Sequence, residues 1–216
     1  MRLLRNSPSL SERLTWQAAS MLLAYPDAGM AERLATVDEF LAAVRGPQAQ
    51  LLARTAAALA AHDPIRAASA YVETFDLDRG ATMYLTYWTA GDTRNRGQHM
   101  LAFAEAYRNA GVAPPAAESP DHLAVVLEFA ATVDPDAGRR LLAEHRVSID
   151  VLWDALRARA SPYEHAVAAV RATLPAPSAA QDRRARHLAD AGPPTESVGL
   201  QPFTLTVPPR RSAGGG

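Results

Sequence analysis

Six histidines, no cysteine and no lysine set narrow limits on the chemistry this 216-residue chain can carry. Without cysteine there are no disulfides, thiolate nucleophiles or zinc–cysteine sites. Without lysine there is no P-loop cation, Schiff base or lysine general base, and every cationic side chain is an arginine. The histidines stand singly, with no His-Glu-x-x-His, no Glu-x-x-His pair and no EF-hand loop to hold a metal. A Gly-x-Ser-x-Gly elbow and a glycine-rich fingerprint after a strand are also absent. Asp121-His122, in the first turn expected after Ser119-Pro120, is the pair that draws attention. The acid suits the positive end of a helix and the histidine does not. Arg94 and Arg96 pose a similar question in the turn expected after Asp92-Thr93. Nearby carboxylates (Glu73, Asp76, Asp78) or an acidic or phosphate-bearing partner would compensate them. The expectation is a protein with no catalytic residue, no metal and no permanently bound cofactor.

The residues that stand out are aromatic. Half of the chain's rings fall between Tyr71 and Tyr107: Tyr71, Phe75, Tyr84, Tyr87, Trp88, Phe103 and Tyr107, interleaved with Glu73, Asp76 and Arg94. Rings supply large contact area at low entropic cost, which suits a surface that grips another chain. Tyr71 and Phe75 are four apart and share a helix face, as do Phe103 and Tyr107, with Met100 one turn before.

The elements that must position these residues are helical. Ser9 and Glu12 form a capping box ahead of Leu14, Ala18, Met21, Leu22 and Tyr25, a stripe closed by Pro26. A second stripe, Leu34, Val37, Leu41 and Val44, ends at Gly46-Pro47. A third, around Leu51, Leu52, Thr55 and Leu59, stops near Asp63-Pro64. Cap-then-proline starts recur at Asp63-Pro64, Ser119-Pro120, Asp134-Pro135 and Ser161-Pro162, the last reinforced by Glu164. Ser148 is expected to cap a helix through Leu152, Trp153 and Leu156. Leu123 to Ala131 is apolar nearly all round, the mark of a buried helix, and an inward Glu128 would require an arginine. No run alternates with period two. The expected fold is all-α, one globular domain of nine or ten helices over residues 1–175. Residues 176–216, rich in proline, glycine and arginine, read as a mobile tail carrying one apolar patch, Val198, Leu200, Phe203, Leu205 and Val207.

At 48% hydrophobic residues the chain can bury roughly 70% of its unfolded surface in one domain. A net charge of −1 argues against a general nucleic-acid binder. The segment MRLLRNSPSLSERL lacks the apolar core of a signal peptide, and no stretch approaches the ~20 apolar residues of a membrane span. The expected location is cytoplasmic, without direct membrane insertion.

The blocks Tyr71-Val-Glu-Thr-Phe-Asp-Leu, Tyr84-Leu-Thr-Tyr-Trp-Thr, Gly91-Asp-Thr-Arg and Pro120-Asp121-His122-Leu123, running into Val126-Leu-Glu-Phe129, are together distinctive. They resemble the nitrate reductase molybdenum-cofactor assembly chaperones, the NarJ or delta-subunit family, related to the TorD/DmsD redox-enzyme maturation chaperones. Gly192-Pro-Pro-Thr-Glu and Val198-Gly-Leu-Gln-Pro-Phe203 look like that family's C-terminal signature. Glu118-Ser119-Pro120 matches only loosely the Glu-Pro that often precedes the Pro-Asp-His hinge in the wider group.

The resemblance implies an all-α chaperone that binds the N-terminal segment of the apo catalytic (alpha) subunit of nitrate reductase. It would hold that subunit competent for insertion of the bis-molybdopterin guanine dinucleotide cofactor, and so handle the molybdenum cofactor only through its client. On this expectation the client peptide lies as an amphipathic helix in a groove built from the seven rings, with Glu73, Asp76 and Arg94 on the rim and Pro120, Asp121 and His122 as a hinge. Three or four apolar anchors at about 1.5–3 kcal/mol each, against an association cost of about 4–15 kcal/mol, imply reversible binding. Two other readings stay open: a helical regulatory adaptor for a different protein, and a GTP-dependent enzyme using the Asp121-His122 turn.

Overall fold

The computed structural model describes residues 7–77, 79–91 and 95–194. Among them are eleven α-helices and no strand: α1 (Leu10–Leu23), α2 (Met30–Leu41), α3 (Pro47–Ala60), α4 (Pro64–Tyr71), α5 (Tyr87–Ala90), α6 (Asn95–Asn109), α7 (Leu123–Thr132), α8 (Pro135–Glu144), α9 (Arg146–Ala158), α10 (Tyr163–Thr173) and α11 (Ala179–Ala191). The chain is all-α, as its periodicity indicates. α4 continues into a π-helical turn over Val72–Asp76, and a 3₁₀ turn follows at Arg79–Ala81. No helix among the described residues is long and apolar enough to cross a membrane.

α7 is the centre of the fold. Leu123 to Leu127 and Phe129 to Ala131 are all buried, because α1 packs along one side and α8 along another. Glu128 points to solvent, so the inward carboxylate considered from sequence does not arise. Gly138 of α8 lies so close to α7 that a Cβ there would overlap Cα and Cβ of Ala130. α1 also packs on α2, α3 and α10, and α10 on α3 and α9. Polar ties lock these contacts: Trp16 Nε1 donates to Thr173 Oγ1 at 2.8 Å and Ser20 Oγ to the Ala124 carbonyl at 2.7 Å.

Three of the expected caps form. Ser9 and Glu12 make the capping box, and the Asp63 and Asp134 carboxylates accept from the first turns of α4 and α8. Three others do not. α7 starts at Leu123 with His122 at its N-cap, while Ser119 turns its hydroxyl to Asp121. Ser161 makes no side-chain cap on α10, and its hydroxyl is buried without a partner among the described residues. Ser148 lies inside α9 and donates to the Leu85 carbonyl at 2.6 Å. A hydroxyl able to cap a helix can equally satisfy another acceptor, near in sequence for Ser119 and distant for Ser148.

The helical body continues beyond residue 175. Residues 179–191, placed in the tail on composition, form α11, opened by a Ser178–Gln181 capping box and packed on α9. Its Ala185 and Leu188 close a small second cluster with Trp88, Val147 and Val151, separate from the main core. The patch Val198 to Val207 lies outside the described residues.

Candidate functional site

The residues read as a hinge form a buried polar joint. Leu85 N donates to the Asp121 carbonyl at 3.0 Å and Leu123 N to the Met83 carbonyl at 2.9 Å, giving an isolated antiparallel bridge between Tyr84 and His122. Asp121, at 0% exposure, is its hub. Its Oδ2 accepts from Thr86 N at 3.2 Å and Thr86 Oγ1 at 2.5 Å, and its Oδ1 from Ser119 Oγ at 2.5 Å. Arg96 places Nη2 3.7 Å from Oδ2, donates from Nε to Thr86 Oγ1 at 3.1 Å and lies 5.3 Å over the Tyr84 ring. Arg96 therefore faces the Asp121 carboxylate, while Asp78, one of the three carboxylates expected from sequence proximity, lies outside the described residues. The Tyr84 hydroxyl donates to Glu118 at 3.2 Å. Burial pushes the His122 imidazole below its ordinary pKa, opposed by Glu118, Asp121 and Asp76, and its Nδ1 has no partner among the described residues. Asp121 does not serve the dipole of α7. It clamps the 83–86 segment and α6 to the start of α7, with Pro120 half-buried beside it.

The rings of the 71–107 stretch are mostly interior. Tyr71, Phe75, Phe103 and Tyr107 belong to the main core, and Trp88 is buried in the second cluster. Each expected pair does share a face: Tyr71 and Phe75 centroids are 4.8 Å apart and both meet Tyr163, Phe103 packs on His145 at 4.9 Å, and Tyr107 on Phe129 at 4.5 Å. These faces turn inward for a physical reason. The core they enter includes many small side chains (Ala18, Ala19, Ala56, Ala130, Ala166 and Ala169 among them), and the rings supply part of the volume a close-packed interior requires. Burial also raises the phenols: Tyr71 above its usual range, Tyr107 and Tyr163 to about 12, all chiefly by desolvation. Tyr84 and Tyr87 are half-buried, and Glu73 and Asp76 are exposed. Arg94 lies outside the described residues.

Two open troughs flank the buried rings. The first, of about 760 Å³, runs between the end of α1, α4 and the π-helical turn, lined by Tyr25, Pro26, Ile65, Val72, Glu73 and Leu77 among others. Three large apolar side chains stand in or beside it in water: Ile65 at 79%, Leu77 at 75% and Tyr25 at 49% exposure. Tyr25 packs edge-on against Tyr71 at 5.3 Å, so the core rings act as the trough's rigid backing. The π turn supplies a second peculiarity, since π-bulges recur at functional sites. The second trough, of about 670 Å³, lies beside Tyr87 and Trp88 between α9 and the end of α11, lined also by Val151, Ala155, Leu188 and Pro193.

Sequence reasoning missed Tyr25, Ile65 and Leu77 as surface residues. The available signal was Ile65 following the Asp63-Pro64 cap, an apolar residue in an exposed first turn. It also missed a buried charge cluster. Asp150 takes Arg146 Nε at 2.9 and 3.0 Å and Arg171 Nε at 2.6 Å, Arg171 stacks 3.9 Å over Trp153, and Arg146 Nη1 donates to the Arg171 and Pro175 carbonyls. The four-residue spacing of Arg146 and Asp150 was its trace in the sequence.

The described residues thus form an all-α body whose core rings back an open apolar trough. The sequence profile of the nitrate reductase delta subunit matches residues 26–169, and the chain belongs to that family. Over 157 residues it is 59% identical to a "Nitrate reductase-like protein NarX" of Mycobacterium tuberculosis, covering 73% of this chain and 24% of that protein. The chain thus spans about a quarter of that relative's length. It is 29% identical over 163 residues to the "Probable nitrate reductase molybdenum cofactor assembly chaperone NarJ" of Bacillus subtilis, covering 75% of this chain and 89% of the relative. To the "Nitrate reductase molybdenum cofactor assembly chaperone NarJ" of Escherichia coli it is 30% identical over 147 residues, covering 67% of this chain and 62% of the relative.

Proposed function

We propose that this protein is a nitrate reductase assembly chaperone that binds the N-terminal segment of the apo catalytic subunit and keeps it open for molybdenum cofactor insertion, the cofactor itself being held by the client. The names of its NarJ relatives support the chaperone role. The observation that carries the binding mode is the open trough with Tyr25, Ile65 and Leu77 exposed along it. An amphipathic helix fits such a trough, its apolar side against Ile65, Val72 and Leu77 and its polar side toward Glu73 and Asp76. Tyr71 and Phe75 act through the wall they stiffen, and Tyr84 and the Pro120-Asp121-His122 joint hold that wall to α7. Tyr87 and Trp88 line the other trough, and Phe103 and Tyr107 support from the core.

The rival readings are separable. An adaptor for a different protein would use the same trough without preference for the reductase segment. The Asp121-His122 turn has little to offer an enzyme, since both Asp121 oxygens are committed to Thr86 and Ser119. The test is titration of a synthetic N-terminal peptide of the partner catalytic subunit against the wild-type protein, Ile65→Asp and Leu77→Asp. Loss of at least tenfold in affinity, with folding unchanged, is expected in both variants. Undiminished binding in both removes this trough as the client site.

A further inference from the structure

α11 is held to the fold by a narrow face. Only two of its thirteen residues, Ala185 and Leu188, are buried, and they touch the second cluster alone. The rest of the helix, including Arg183, Arg184, Arg186, His187 and Asp190, is exposed or at most half-exposed. Its main packing partner is α9. Its landing site is a groove floored by Trp88, Val147 and Val151, and the trough of about 670 Å³ continues that groove beside it. The chain leaves α11 through Gly192 at φ +78 and passes across Gly91, itself at φ +61, where any Cβ would run into the Pro194 carbonyl. Upstream, α11 follows the non-helical Leu174–Ser178 link, which contains Pro175 and Pro177. A helix anchored by one leucine and one alanine, with a non-helical link at each end, is a candidate for opening as a unit while the main core stays closed.

We propose that α11 is a displaceable latch: an amphipathic helix seated in cis in a groove on α5 and α9, which it leaves as a unit and which then accepts an equivalent helix in trans. The groove's preference is set by what it now holds, a small residue and a leucine three positions later, on a helix otherwise polar and arginine-rich. This reading is independent of the client trough beside Tyr25, which lies on a different set of helices.

The test uses the full chain. Hydrogen exchange in the wild type is expected to show residues 179–191 exchanging at least ~100-fold faster than α7 and α9, because they open locally rather than with the whole fold. Leu188→Asp should remove the remaining protection from 179–191 and red-shift the Trp88 emission while leaving the protection of α7 intact. A labelled peptide of residues 178–194 should bind Leu188→Asp and bind the wild type at least tenfold more weakly. Gly91→Ala, which acts on the far end of the strap without touching Leu188, should move exchange in the same direction. Exchange of α11 at the same rate as α7 overturns the latch. So does loss of α7 protection in Leu188→Asp, or equal peptide binding by mutant and wild type.

Discussion

Replacing Asp121 with alanine is the sharpest probe of how the fold holds the 83–86 segment and α6 to α7. The carboxylate is fully buried and accepts three hydrogen bonds, from Thr86 N, Thr86 Oγ1 and Ser119 Oγ, with the Arg96 guanidinium 3.7 Å away. Hydrogen bonds to a charged group contribute about 1.5–3 kcal/mol each, and a buried donor left unsatisfied costs about 1–3 kcal/mol. The three bonds are not additive, because Thr86 and Ser119 relax together. Removing one partner of a buried charged network costs about 3–5 kcal/mol, and that is the expected loss for Asp121→Ala. At about 2–4 °C per kcal/mol for a chain of this size, the melting temperature should fall by about 6–20 °C. Asp121→Asn, which keeps one acceptor, should lie between wild type and alanine. Glu128→Ala, exposed on the adjoining helix, should change stability by no more than about 0.5 kcal/mol. The assay is urea unfolding followed by tryptophan fluorescence, with thermal melts by circular dichroism. A loss below about 1 kcal/mol in Asp121→Ala would refute the view that this joint clamps the 83–86 segment and α6 to α7.

Gly138→Ala forces α7 and α8 apart against the Ala130 backbone and should cost about 1–3 kcal/mol in a urea melt, as overpacked cores do. Asp150→Ala leaves Arg146 buried without its carboxylate and should cost about 3–5 kcal/mol by the same measurement. Acidification should destabilise the fold through His122 and His145, whose folded pKa values lie below the ordinary 6.5 because burial disfavours the imidazolium. The unfolded chain then binds more protons, so stability is fully present above about pH 6.5 and is lost as pH falls through the folded values. Glu118, Asp121 and Asp76 around His122, and Leu141, Glu144 and Asp121 around His145, temper the effect, while His99 adds to it. Melting temperatures taken from pH 7.5 down to 5.5 should fall less steeply in His122→Asn/His145→Gln than in the wild type. Equal slopes would remove these two residues as the cause.

The helices were legible because their signals are local. The Ser9–Glu12 box, the Asp63 and Asp134 caps and the unbroken apolar run of α7 each lie within a few residues of the structure they specify. The errors came where a side chain answers to something far away. Ser148 serves a carbonyl 63 residues earlier, and Thr86 serves Asp121 from 35 residues away, so no local window shows their role. α11 was obscured by composition: its Ser178–Gln181 box was readable, but a face of only Ala185 and Leu188 is thin beside its arginines. For the candidate site, the density of rings and their sharing of helix faces could be read directly. The direction of those faces could not, because it depends on partners far along the chain, Tyr163, His145 and Phe129.

Burying the rings and opening a trough are parts of one arrangement. Tyr71 of α4, Phe75 of the π turn and Tyr163 of α10 interlock in the core with centroids 4.8, 4.9 and 6.0 Å apart. Tyr25 packs on the outer edge of that stack and faces water beside Ile65 and Leu77. A trough lined only by flexible side chains would collapse on itself; one backed by interlocked rings stays open and loses little freedom when a helix enters. Exposed apolar clusters are uncommon on a monomer that has no use for them. The polar variants at Ile65 and Leu77 discriminate because their side chains contribute little to the interior. Substituting them should leave the fold as stable as before, so any affinity they remove belongs to the surface.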